Sequence, residues 1–292
     1  MDGELWKVLY PVLEQEGKNF ERRFVHYSDA QILKVFLWAG LHDRPICWAC
    51  QPENWPAEGR PDRLPVPGTM SKRLRRLSIW LLLLAVLGAL QQPQPRHLVQ
   101  AVDAKPLPIS GYSKDRGARW GRATAGLAKG YKLFGIVDSG EQRIEAFEVG
   151  PMDESEVKVA SRLLPRLTVG GREGYVLGDA LYDTNPLHRQ AAALHCQLLA
   201  PRKKPHGGLG HRPHHPARLR ALELLPTPFG QDLYALRTGI ERFFGHAGNF
   251  GGGLGPLPNW VRTPRRVALW VGGKIVINAA RLARLHPRPT AA

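Results

Sequence analysis

From residue 97 onward the chain alternates short apolar runs with helical ones, and three of the apolar runs lead to an aspartate, Asp103, Asp138 and Asp179, of which Asp138 precedes Ser-Gly and reads as a hairpin residue. That alternation constrains the fold more than any other feature, because strands interleaved with helices pack as a sheet with helices on its faces. In order, 97–102 reads as a strand delivering Asp103 at its tip, and 111–129 as a loop rich in Gly, Arg and Lys. Residues 130–138 and 143–149 read as an antiparallel pair turning at Ser139 and Gly140. Residues 154–167 form an amphipathic pattern, 174–177 a buried strand closing on Asp179, 186–194 a helix and 196–200 a further strand. The stretch 231–285 reads as helical apart from a Gly-rich break at 251–255.

The residues before this are of another kind. Runs 5–13 and 29–41 carry apolar side chains at helical spacing, with Ser28 as N-cap of the second. A Pro-rich turn region covers 52–67, and 69–90 resumes as one helix that begins with the basic cluster Lys72, Arg73, Arg75, Arg76. The segment 79–90 is intensely apolar but far shorter than the ~20 residues needed to cross a bilayer, so it reads as a buried or interface helix and no membrane is expected. A helical domain over 1–92, a linker at 91–96 and an α/β domain over 97–285 follow. The fold class expected is therefore α/β, a mixed sheet flanked by helices and preceded by a small all-α domain. The basic helix fits a DNA-binding module, and it fits equally a plain helical domain with a solvated charged face.

Charge narrows the partner. Lys and Arg total 41 against 25 acids, a net of +16. A globular chain this basic attracts polyanions, and each cation that meets a phosphate releases a counterion. Residues 201–220 alone hold six Lys or Arg, including Arg202, Lys203 and Lys204, with four His and no acid. Three cysteines in no regular framework suit a reducing compartment, and the first twenty residues, charged and amphipathic, do not resemble a secretory signal. A cytoplasmic, nucleoid-associated location is expected.

Phosphodiester cleavage and strand transfer need no protein nucleophile. Two Mg²⁺ ions roughly 3.5–4 Å apart can activate the attacking oxygen and neutralise the leaving one, and a few carboxylates on rigid elements suffice to hold them. Asp103 and Asp179 at strand tips and Glu241 on a helix are the candidates, with Asp183 a rival for Asp179 by spacing alone. Tyr234, Arg237 and Glu241 fall on one stripe of that helix at seven- and four-residue separations.

At these residues the chain resembles a bacterial insertion-sequence transposase of the DDE type, which carries a ribonuclease-H-like catalytic domain. The block Val102-Asp103-Ala104-Lys105-Pro106-Leu107-Pro108 is similar to the first-aspartate block of such enzymes, and Gly130-Tyr131-Lys132-Leu133 to the strand that follows it. Leu177-Gly178-Asp179-Ala180-Leu181-Tyr182-Asp183 is similar to the second-aspartate block and favours Asp179 over Asp183. Tyr234-x-x-Arg237-x-x-x-Glu241 matches the Tyr-Arg-Glu helix signature of one large branch. Gly248, Leu181, Phe134 and Ala104 depart from the common pattern.

The resemblance implies a ribonuclease-H-like sheet over 97–285. It implies Asp103, Asp179 and Glu241 as catalytic metal ligands for two Mg²⁺ per site, with Mn²⁺ as a substitute. Tyr234 and Arg237 would contact a phosphate near the scissile bond. Lys105, Lys132, Lys72, Arg73, Arg202, Lys203 and Lys204 are the further DNA contacts expected. The partners are double-stranded DNA, as terminal inverted repeats and as target, and a second copy of the chain in a homodimer. The alternative is a catalytically inactive relative that only binds DNA.

Overall fold

A computed structural model describes residues 2–21, 25–91, 98–141, 143–167, 174–204, 206–211, 213–249 and 253–285. The expected linker beyond Gln91, the first strand's start at His97 and part of the Gly-rich break at 251–255 lie outside them. The chain divides into two compact units: one combines 1–94 with 246–292, and the other is 95–245.

The second unit holds a six-stranded mixed sheet. Its strands are β1 (Val99–Pro108), β2 (Arg119–Ala123), β3 (Gly126–Asp138), β4 (Arg143–Pro151), β5 (Gly174–Leu177) and β6 (Cys196–Leu199). The order is β2-β3-β1-β5-β6, with β4 also paired to β3. β1, β3 and β4 run antiparallel in sequence, whereas β1–β5 and β5–β6 are parallel. Parallel neighbours need a crossover, and helices supply it: α6 (Glu156–Leu163) lies between β4 and β5, and α7 (Asn185–Ala193) between β5 and β6, with α8 (Pro216–Leu224) following β6. In one buried cluster of this unit Val102, Phe134 and Ile136 from the sheet meet Val159, Leu163 and Leu187 from the helices. The mixed sheet with flanking helices is consistent with the ribonuclease-H-like domain that the resemblance implies.

Two strands differ from their expected extents. β1 does not stop at Val102 but pairs with β3 as far as Pro108, which faces Gly130, so Asp103 lies within a ten-residue strand and not at its tip. Pairing with β5 ends at Ala101, and past that point one edge of β1 is unpaired, which is where Pro106 and Pro108 cost no ladder bond. The loop expected over 111–129 contains β2, which pairs antiparallel with the start of β3 through a turn at Gly126 (φ 112°).

The first unit is helical at both ends of the chain. α1 (Asp2–Gly17), α2 (Asp29–Leu41), α3 (Ile46–Ala49), α4 (Pro67–Arg73) and α5 (Leu77–Leu90) come from the N-terminal part. The long α11 (Pro264–Leu285) packs against α1, α2 and α5 and is buried almost all round from Val267 to Ala280. The expected boundaries, which left the helical domain without this helix, therefore differ from the compact units. Ser28 caps α2 as expected, its oxygen accepting from the Gln31 N–H at 3.1 Å. A cluster of Trp6, Trp38 and Trp55 stacks in the core, with Trp38 and Trp55 centroids 4.7 Å apart and their indole N–H groups donating to Asn54 and Ala49 carbonyls.

α5 buries Ile79, Leu82, Leu83, Val86, Leu87 and Leu90 and turns Leu77, Leu81 and Leu84 outward. No helix among the described residues is long and apolar enough to cross a membrane. The single helix expected over 69–90 breaks after Arg73. That side chain turns inward, 8% exposed, and its Nη2 donates to Asp29 Oδ1 at 2.6 Å. Arg73 is therefore a structural ion pair and not a DNA contact. Removing one partner of a buried pair strands the other, at roughly 3–5 kcal/mol. Arg73→Ala should lower unfolding free energy by about 3 kcal/mol in urea titration, and a variant as stable as the parent would contradict this placement.

Candidate active site

The parallel pairing of β1 and β5 positions the two aspartates. The last rung joins Ala101 to Leu177, and Asp103 and Asp179 each stand two residues beyond it. Because side chains alternate faces with period two, the two carboxylates leave the sheet on the same side at the same level of neighbouring strands. Asp179 Oδ1 accepts the Leu181 N–H at 2.7 Å, an Asx turn that ends β5 and fixes the side chain. Asp103 Oδ1 accepts the Ala104 N–H at 2.7 Å. Burial pushes the Asp103 carboxyl up to about 6 against the pull of that N–H and of Arg237, and the negative charges of Asp179 and Glu156 push the same way as burial.

The third acid arrives differently from expectation. Tyr234 closes α9 (Pro228–Ala235), Arg237 lies in a tight turn, and Glu241 sits in the first turn of α10 (Thr238–Asn249). Three-residue hydrogen bonds from Leu236, Arg237, Gly239 and Ile240 replace the helical pattern across the junction. The three residues are thus not one stripe of one helix. A physical reason is visible at Gly239: a Cβ there would stand 2.6 Å from the Ser139 carbonyl oxygen, so α10 can approach the β3–β4 turn this closely only with glycine.

Arg237 occupies the centre of the arrangement. Its Nη1 lies 3.6 Å from Asp103 Oδ2, and its Nη2 donates a short hydrogen bond to Glu241 Oε1. Burial works against the guanidinium's charge, but Tyr234, Glu241 and Asp103 outweigh it and hold the proton more firmly than usual. The Tyr234 hydroxyl donates to the Gly178 carbonyl at 3.2 Å, beside Asp179, and burial raises its pKa. Glu241 is about half exposed on its side chain, whereas Asp103 is one quarter exposed. Among the described residues no three acidic, His or Cys side chains converge closely enough to hold a metal ion.

The residues 94–263 match the family model for the transposase DDE domain. The chain belongs to that family. Comparison with curated proteins and with solved structures found no match. The match spans both aspartates, Tyr234, Arg237 and Glu241.

Of the other expected residues of this transposase domain, Lys132 is the clear correction. It is 8% exposed and its Nζ donates to Glu156 Oε1 at 2.6 Å, so it is an internal partner and not a DNA contact. Lys105 is half-buried, and burial lowers its pKa. Lys72, Lys203 and Lys204 are exposed, while Arg202 is half-buried and donates to the Gly207 carbonyl.

Sequence reasoning missed Glu156. It reads as an ordinary first-turn acid after the Ser155 cap of α6, yet its charge acts on Asp103 and it accepts from Lys132 and, at 3.5 Å, from Tyr182.

The rival Asp183 has a different task. Its side chain is 2% exposed and receives Arg218 in bidentate fashion, both bonds 2.6 Å, with His188 Nε2 at 3.3 Å. Burial would raise its carboxyl, but Arg218 and His188 overcome this and hold it down at about 2. A carboxyl depressed by folding contributes stability that is present above its ordinary range and lost as the pH falls through 4 towards 2. Asp183→Asn should cost about 3 kcal/mol at neutral pH, with the gap to the parent narrowing below pH 4 in urea titrations. A gap that stays constant with pH would contradict the pairing.

Proposed function

We propose that the chain is a DNA transposase that cuts DNA strands at the ends of its mobile element and joins them to target DNA. The observation that supports this best is that Asp103 and Asp179 each stand two residues past the last rung of the parallel β1–β5 pairing, with Arg237 between Asp103 and Glu241. The donor set fits Mg²⁺, a hard cation that takes carboxylate oxygen. The same inference follows from Asp103: burial and two neighbouring acids disfavour its ionised form, and a divalent cation would favour it.

Asp103, Asp179 and Glu241 would hold two such ions, with Mn²⁺ as a substitute. A metal bound there supplies charge neutralisation at the scissile phosphate and a more acidic attacking water or 3′-hydroxyl. The protein's own part is placement. Arg237 is a planar fork suited to one non-bridging phosphate edge, and taking a phosphate would release Glu241 from its present ion pair. Tyr234 fixes the loop before Asp179 from the other side. Lys105 beside the site, with Lys72, Arg202, Lys203 and Lys204 elsewhere, would hold duplex backbone, at terminal inverted repeats and at target, and a homodimer would bring two element ends together. Arg73 and Lys132 are left out because both are committed internally.

A second reading, a relative that binds DNA without cutting it, is favoured by two observations: Glu241 is held by Arg237, and among the described residues no three acids converge. Nicking of linear DNA carrying the element ends, in Mg²⁺ or Mn²⁺, separates the two. Glu241→Gln, Asp103→Asn and Asp179→Asn should each lower cleavage by about a thousandfold while end binding in metal-free gel shifts stays near the parent's. Cleavage retained in Glu241→Gln would discard its assignment, and binding by the parent without any nicking would favour the second reading.

A further inference from the structure

Within the helical unit a cavity of about 540 Å³ opens beside α4, the turn before α11 and the start of α11. Phe36, Leu74 and Leu269 give it an apolar interior. Three exposed guanidinium groups, Arg75, Arg265 and Arg266, stand on its lining, and no acid does. Arg266 is oriented by a hydrogen bond from its Nη2 to Ser71 Oγ at 3.2 Å, which joins positions 195 residues apart. Trp260 lines the same cavity and is 44% exposed, unlike Trp6, Trp38 and Trp55 of the unit's core. Thr263, also on the lining, holds a φ of 72°, a conformation that a β-branched residue adopts only under constraint.

Each half of this site excludes a simpler occupant. A bare phosphate or duplex backbone would use the arginines but has no need of an apolar hollow beneath them. A hydrophobic helix would fill the hollow but leave three like charges on its lining without a counter-charge. A nucleotide carries both halves in one unit: a phosphate for the guanidinium forks and a planar, weakly polar base for an exposed indole and an apolar wall. A base paired within a duplex cannot enter such a hollow, whereas an unpaired one can.

We propose that this cavity binds an unpaired nucleotide of a DNA strand, with its phosphate on Arg75, Arg265 and Arg266 and its base against Trp260. A free mononucleotide shares that chemistry. The site lies wholly in the helical unit and uses none of the carboxylates of the DDE site.

The test uses the full chain in EDTA, so that its failure is separate from any failure of strand cleavage. Fluorescence anisotropy compares a short blunt duplex with the same duplex bearing unpaired 3′ nucleotides, and dAMP serves as competitor. The unpaired end should bind about tenfold more tightly. Trp260→Ala should remove that gain while leaving blunt-duplex affinity within about twofold, and Trp260→Phe should restore most of it. Arg75→Glu with Arg265→Glu should also abolish the gain. Competition by dAMP against the gain alone would identify the free nucleotide as a second source of the same ligand. Equal affinity for the two duplexes overturns the proposal, as does a gain that survives Trp260→Ala. Dissociation of a dimer by Trp260→Ala, with DNA preference unchanged, also overturns it by assigning the cavity to a second copy of the chain. Because Trp260 is half exposed, an unchanged melting temperature serves as the control for folding.

Discussion

The parallel pairing of β1 with β5 is short, three rungs from Val99 to Ala101, yet the placement of both aspartates depends on it. Parallel strands keep one register along their length, so fixing Ala101 against Leu177 also fixes what emerges two residues later on each strand. What emerges is Asp103 and Asp179, from positions too distant in sequence to meet otherwise. The rung is held from both flanks. β3 pairs β1 across Gln100 to Pro108, and β6 pairs β5 across all four of its residues. A slip of one residue would send one aspartate to the opposite face, with Val102 or Gly178 in its place.

Charge balance explains why a cation suits the site. Asp103 is largely removed from water, with Asp179 and Glu156 as like-charged neighbours and Arg237 as a near cation. Glu156 is itself neutralised by Lys132, which turns a residue first read as a DNA contact into part of the support behind the site. Arg237 faces both Asp103 and Glu241, so any anion that draws the guanidinium away leaves two carboxylates to be compensated by something else. In the proposed function a substrate phosphate and a divalent cation would therefore be linked through that single side chain.

Much of this was legible in the residues. α2, β5 and the β3–β4 hairpin follow local signals, an N-cap serine, a short apolar run and a Ser-Gly turn, and they lie where those signals place them. The level of the two aspartates was legible only as two strand-ending acids, because register belongs to pairing and not to either strand alone. β1 ran on past Asp103 since its partner β3, thirty residues later, continues to Gly130, a non-local cause that no window of sequence contains. The break between Tyr234 and Glu241 came from the contact of Gly239 with the Ser139 backbone, again a partner distant in sequence. Arg73 sat in a basic cluster and Lys132 in the strand block after the first aspartate, and only their burial on Asp29 and Glu156 reveals that both are internal partners. The Tyr-Arg-Glu spacing suggested one helical stripe, whereas the structure divides it between α9, a turn and α10.

The most direct test of the account is where a divalent ion settles. Crystals of the protein with a DNA end, soaked in Mn²⁺ and measured for anomalous scattering, would locate it without reference to activity. The account predicts a peak about 2.1 Å from carboxylate oxygens of both Asp103 and Asp179, with the Arg237 guanidinium withdrawn from Asp103 onto a DNA phosphate. A manganese peak that touches only one of the two aspartates, or none at that end of β5, would contradict it.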